Sequence, residues 1–152
     1  MILAKALNLQ FADTDNTFEA AAGPIAHFVD QHGWAKFREG EEVAVIECLK
    51  PGNVVSLGGG AIESTATRQL LETNAIVVWV QASEDEVVER LRKTRHKRPA
   101  LTELPLEQEV QQTMERREPL YRAAANITLP ATNTQEENVE HVISTLQQQC
   151  SW

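Results

Sequence analysis

Two carboxylates two residues apart, Asp13 and Asp15, stand at the end of a short run, Phe11-Ala12-Asp13, that reads as a strand. At a strand end such a pair can hold Mg²⁺ through water and accept a hydroxyl proton, or it can cap the helix that follows. Two arginines occupy positions where a lone charge is costly. In the helix expected over about Ala35 to Leu49, Phe37, Ala44 and Cys48 share one stripe, Glu41 falls on that stripe, and Arg38 stands three residues before Glu41. The two are either an ion pair at the stripe's edge or a carboxylate that holds Arg38 for an anionic ligand. In the helix expected from Leu106 to about Ala124, Leu106, Val110, Met114 and Tyr121 form an inward stripe that also contains Arg117. A buried guanidinium should meet an acid of the protein or a carboxylate of a ligand. Arg38 and Arg117 together would suit a small carboxylate through paired hydrogen bonds.

Gly58-Gly59-Gly60 follows the strand-like run Val54 to Leu57 and precedes a helix that opens near Ser64. At the carboxyl end of a parallel strand, glycines let a ligand approach backbone N–H groups, although a tight turn uses the same residues. A basic window, Arg90, Arg92, Lys93, Arg95, Lys97 and Arg98, holds six of the 14 basic residues, so only eight others offset the 22 acids. The window runs into a proline-bracketed loop, Pro99 to Pro105. It is either a solvated helix end or a mobile lid that carries arginine to phosphates.

These residues need a scaffold. Ile76 to Val80 and Ile127 to Leu129 complete a set of four strand-like runs, with helical patterns between them. That alternation predicts a parallel α/β sheet, and the continuously apolar Ile76 to Val80 should be a strand buried on both faces. Ser83-x-x-Glu86 and Thr134-x-x-Glu137 are capping boxes that fix two helix starts. Leu3 to Leu7 reads as the last two turns of a helix leading into Phe11, so a strand and turn are expected upstream of Met1.

At 152 residues the chain is expected to be one domain. Its 42% apolar and 24% charged residues exclude a disordered chain, and a net charge of −8 argues against a general nucleic-acid or membrane-surface binder. No apolar run is long enough to span a membrane, and the N-terminus is too short for a signal peptide. Cys48 and Cys150 show no C-x-x-C spacing and are expected to be reduced, in a cytoplasmic protein.

The chain resembles the shikimate kinase family, small P-loop kinases of aromatic amino-acid biosynthesis. The matching runs are Phe11 to Asp15, Gly33 to Glu41, Leu57 to Ala61, Arg98 to Leu101 and Arg117 to Tyr121, in family order and over essentially the whole chain. The resemblance implies a three-layer α/β fold of the nucleoside-monophosphate-kinase type, a parallel sheet with flanking helices, over residues 1–152 with a lid at about 95–105. It implies ATP-dependent phosphorylation of the shikimate 3-hydroxyl, with ATP and Mg²⁺ as cofactors. Asp15 would then accept from the reacting hydroxyl, Arg38 and Arg117 would clamp the carboxylate, and Gly59 and Gly60 would offer backbone donors. Asp13 would lie near Mg²⁺, and Arg98 would be the lid arginine facing ATP and the transferred phosphate. The implied partner is the small-molecule substrate, without nucleic acid or membrane, and the complete domain would be a monomer.

Two features depart from the family pattern. The sequence contains no G-x-x-x-x-G-K-[ST] run, and by alignment Met1 falls about five residues beyond the expected P-loop lysine. The fold is therefore expected to lack its first strand, an interior one, which would strip partners from two neighbours and leave unpaired backbone edges. The chain as written would then be inactive without an upstream P-loop. Ala100 also stands where the family usually has a larger apolar residue. The alternative reading is a non-catalytic sensor or regulatory module that binds a shikimate-like acid.

Overall fold

The computed structural model describes residues 1–94 and 100–149, and of Gln149 the backbone alone. Helix α1 (Ile2–Leu7) ends at Asn8, whose left-handed backbone closes the helix with two backbone hydrogen bonds. It leads into β1 (Gln10–Asp13), α2 (Thr14–Ala22) and α3 (Ile25–Cys48). Next come β2 (Asn53–Ser56), a 3₁₀ turn (Ala61–Glu63), α4 (Thr65–Asn74) and β3 (Val78–Gln81). The chain continues with α5 (Glu84–Thr94), α6 (Leu106–Ala124), β4 (Ile127–Pro130) and α7 (Gln135–Gln149).

The local chemistry of the sequence explains several boundaries. Ser83 and Glu86 bond reciprocally at the start of α5, as Thr134 and Glu137 do before α7, so both capping boxes form as expected. The α3 segment is two helices joined at Gly33, where φ is 79°, a conformation that costs an L side chain and suits glycine. The second of them carries Phe37, Glu41, Ala44 and Cys48 inward, all buried. Ser64 caps α4 by accepting from the Thr67 N–H.

All strand pairing is parallel, with Phe11 opposite Val54 and Val78 opposite Ile127. The α/β class is therefore as expected, but the described strands form two pairs, β1–β2 and β3–β4, with no ladder joining them. The continuous burial expected of Ile76 to Val80 is not found: the strand begins at Val78, Ile76 is 52% exposed and Val80 50%. Among the described residues β3 pairs with β4 alone, so one edge of the strand has no neighbouring strand to cover its side chains.

One core cluster lies between α2 and α3, where Phe18 meets Phe28 and Phe37 edge-on at centroid distances of 5.0 and 4.9 Å. The other joins Ile127 and Leu129 of β4 to Val142 of α7, with Leu3 of α1 packed against it. Helix α1 also touches β1 and β2, so it links the two strand pairs. Among the described residues no helix is long and apolar enough to cross a membrane.

Candidate active site

The carboxyl ends of β1 and β2 lie side by side, with Asp13 opposite Ser56. This register puts the first turn of α2 beside the loop that follows β2. The Gly58 N–H donates to the hydroxyl of the buried Thr14 at 2.9 Å, which fastens the glycine loop to that turn.

Side chains of the site close in on these glycines. A Cβ on Gly58 would stand 2.6 Å from Asp15 Oδ1 and 2.7 Å from Glu41 Oε1. One on Gly60 would fall within the Arg38 guanidinium, and one on Gly59 would meet Tyr121 Oη at 3.5 Å and Arg117 Nη1 at 3.7 Å. Tyr121 donates its hydroxyl to the Gly59 carbonyl. The loop is thus the floor on which Asp15, Arg38, Glu41, Arg117 and Tyr121 converge. Among the described residues the N–H groups of Gly59 and Gly60 make no hydrogen bond, so both can donate to a ligand.

Arg38 donates from Nη1 to Glu41 Oε2 at 2.6 Å and lies over the rings of Trp34 and Phe37 at 5.4 and 5.3 Å. Burial pushes the Glu41 carboxyl above its ordinary range despite Arg38. The charge of Asp15 pushes the same way, while Arg117 opposes it. Arg117, only 6% exposed, meets its acid: Nε and Nη2 donate to Glu63 Oε2 at 3.1 and 2.9 Å. The other oxygen of Glu63 is held by Arg116. Burial opposes ionisation of Glu63, but the Arg116 hydrogen bond and the Arg117 charge outweigh it and hold the carboxyl below its ordinary value.

Of the residues singled out from sequence, Asp15, Arg38, Gly59, Gly60 and Arg117 are brought together. Asp13 takes the capping role, its Oδ1 accepting from the Asn16 N–H at 3.0 Å. Arg98 lies outside the described residues, as do Arg95, Lys97 and Cys150. Within the basic window, Arg92 pairs with Glu107 and Lys93 with Glu89, which are ordinary surface partners.

Glu63 and Glu109 were not singled out from sequence, and Trp34 entered only as part of the Gly33 to Glu41 run. The Trp34 indole donates to the Ala100 carbonyl at 3.3 Å, and the buried Glu109 accepts from the Leu101 and Thr102 N–H groups at 2.9 and 2.8 Å. The first contact ties Ala100 to the Arg38 side of the site through Trp34, and the others tie Leu101 and Thr102 to α6. The cost of leaving Arg117 unpaired was the only signal that pointed towards an acid such as Glu63.

Two guanidiniums, a carboxylate and open backbone N–H groups are the kinds of group that recognise small hydroxylated acids. A family model described as shikimate kinase matches residues 1–147. Shikimate kinase 2 of Escherichia coli O139:H28 is 36% identical over 151 residues, covering 97% of this chain and 87% of that protein. The shikimate kinase of Acinetobacter baumannii, solved in complex with shikimate, superposes with a TM-score of 0.89 at 27% identity, covering 99% of this chain and 85% of that one. The shikimate kinase of Bacteroides thetaiotaomicron gives a TM-score of 0.83 at 25% identity, covering 96% and 88%.

Proposed function

The chain belongs to the shikimate kinase family, and from that premise we propose that its Asp15–Arg38–Arg117 cluster binds shikimate and presents the 3-hydroxyl for phosphorylation. The family's activity is ATP-dependent phosphorylation of shikimate in aromatic biosynthesis. The observation that carries the assignment of the site is the convergence of both guanidiniums and Asp15 on one glycine loop.

Arg38 and Arg117 pair with the substrate carboxylate, and their fixed forks set its orientation. Gly59 and Gly60 donate backbone N–H groups. Asp15 accepts the hydrogen bond of the reacting hydroxyl at its carboxylate and is the group to receive the proton. The acid is thereby held at one end and activated at the other.

ATP and Mg²⁺ are the family's cofactors, but the residues present do not make a complete site for them. The sequence has no G-x-x-x-x-G-K-[ST] run, and the described residues offer no group of three acids, histidines or cysteines for a cation. Asp13, with one oxygen on the helix cap, is the proposed acid nearest Mg²⁺, and Arg98 is the proposed lid arginine. A cytoplasmic monomer completes the proposal.

Titration of shikimate into the wild-type and Arg38→Ala proteins tests the site. A saturable heat that is lost in the variant supports it, and equal affinity in both contradicts it.

A further inference from the structure

We propose that Glu63 is an internal stand-in for the substrate carboxylate, closing the arginine clamp in the free protein and setting the threshold that an acid must exceed to bind. The inference rests on the reading of Arg38 and Arg117 as that clamp.

Glu63 Oε2 lies between the two guanidiniums: Arg117 Nη2 is 2.9 Å away, Arg117 Nε 3.1 Å, and Arg38 Nη2 3.9 Å. A single carboxylate oxygen therefore faces both arginines where a bound acid would place its own. The backbone beneath it is fixed. The Glu63 N–H donates to the Gly60 carbonyl at 3.0 Å, and Arg68 Nη1 donates to the Ile62 and Glu63 carbonyls at 2.7 and 2.9 Å. Only the side chain can withdraw.

Withdrawal has a destination. Arg116 holds Oε1 from the outer side of α6, with its own side chain 57% exposed. A carboxylate that gives up Arg117 keeps Arg116, so an arriving acid exchanges one ion pair for another and leaves no buried charge unpaired. A carboxylate ligand with no further contacts gains little from that exchange. One whose hydroxyls also reach Asp15 and the glycine N–H groups gains more, which makes Glu63 a specificity-determining residue.

Calorimetric titration of the 1–152 protein with shikimate and with shikimate methyl ester, which lacks the charge, tests this. Glu63→Gln should bind the acid about tenfold or more tightly, since hydrogen bonds to charged groups are of that size. Its affinity for the ester should not change. Arg116→Gln, at a surface position that leaves folding intact, should weaken binding of the acid by freeing Glu63 to engage the clamp fully, and should have no effect in the Glu63→Gln background. Weaker or unchanged binding of the acid by Glu63→Gln, an equal gain for the ester, or unchanged binding by Arg116→Gln would overturn the proposal. Arg117→Ala separates the two readings: if it leaves binding of the acid unaltered, the clamp itself is misassigned.

Discussion

The guanidinium of Arg38 lies against the backbone of Gly60, so closely that a Cβ there would stand 2.1 Å from Nη1 and 2.2 Å from Cζ. Gly60 has ordinary right-handed backbone angles, and the obstructing atoms are the far end of a flexible side chain. Gly60→Ala should therefore fold with little loss of stability while pushing Arg38 out of line. Shikimate affinity should fall by about 1.5 to 3 kcal/mol, the worth of a hydrogen bond to a charged group. Parallel thermal melts and titrations would check both halves.

Glu41 gives the site a pH signature. Its carboxyl is raised above the ordinary value of about 4.3, chiefly by burial. The folded state then binds more protons than the unfolded one between the two values, so Glu41 makes stability fall as pH rises through that window. Below it the penalty is absent. Urea unfolding at a series of pH values should show this decline, and Glu41→Gln should flatten it.

Much of this arrangement was legible in the sequence because local rules decided it. The capping boxes at Ser83 and Thr134 needed only neighbouring residues, and the inward stripe of α6 placed Arg117 before any contact was known. The partner of Arg117 was not legible. Glu63 reaches it from a 3₁₀ turn 54 positions away, through a loop whose course no periodicity reveals. The exposure of Ile76 and Val80 escaped for a related reason, since an apolar run reports what a strand tolerates on its faces and not which neighbours cover it. Asp13 showed the limit of residue type alone, because a cap and a cation ligand ask for the same side chain.

Asp15 approaches the glycine floor at Gly58 and is the carboxylate assigned to the reacting hydroxyl. In a form of the protein able to phosphorylate shikimate, Asp15→Asn should lower kcat by about 10² to 10⁴, the usual contribution of a positioned base. Steady-state kinetics would place Asp15 outside the chemistry if kcat stayed within a few-fold.

The polypeptide of residues 1–152 alone should release no ADP above background with shikimate, Mg²⁺ and ATP. Phosphoryl transfer depends on positioned donors and charges, and even one comparable oxyanion donor is worth about 3 to 4 kcal/mol. Joining a strand and a G-x-x-x-x-G-K-[ST] loop ahead of Met1 should produce turnover in the same coupled assay. Equal turnover with and without that addition would mean that other residues hold the phosphates.

The claim that this cluster is a shikimate site is tested most directly by calorimetric titration of shikimate into the wild-type and Arg117→Ala proteins. One saturable site per chain is expected in the wild type, with a loss of about 2 to 5 kcal/mol in the variant, the penalty for removing one partner of a desolvated charge pair. No binding to the folded wild-type protein, or the same affinity in both, would contradict it.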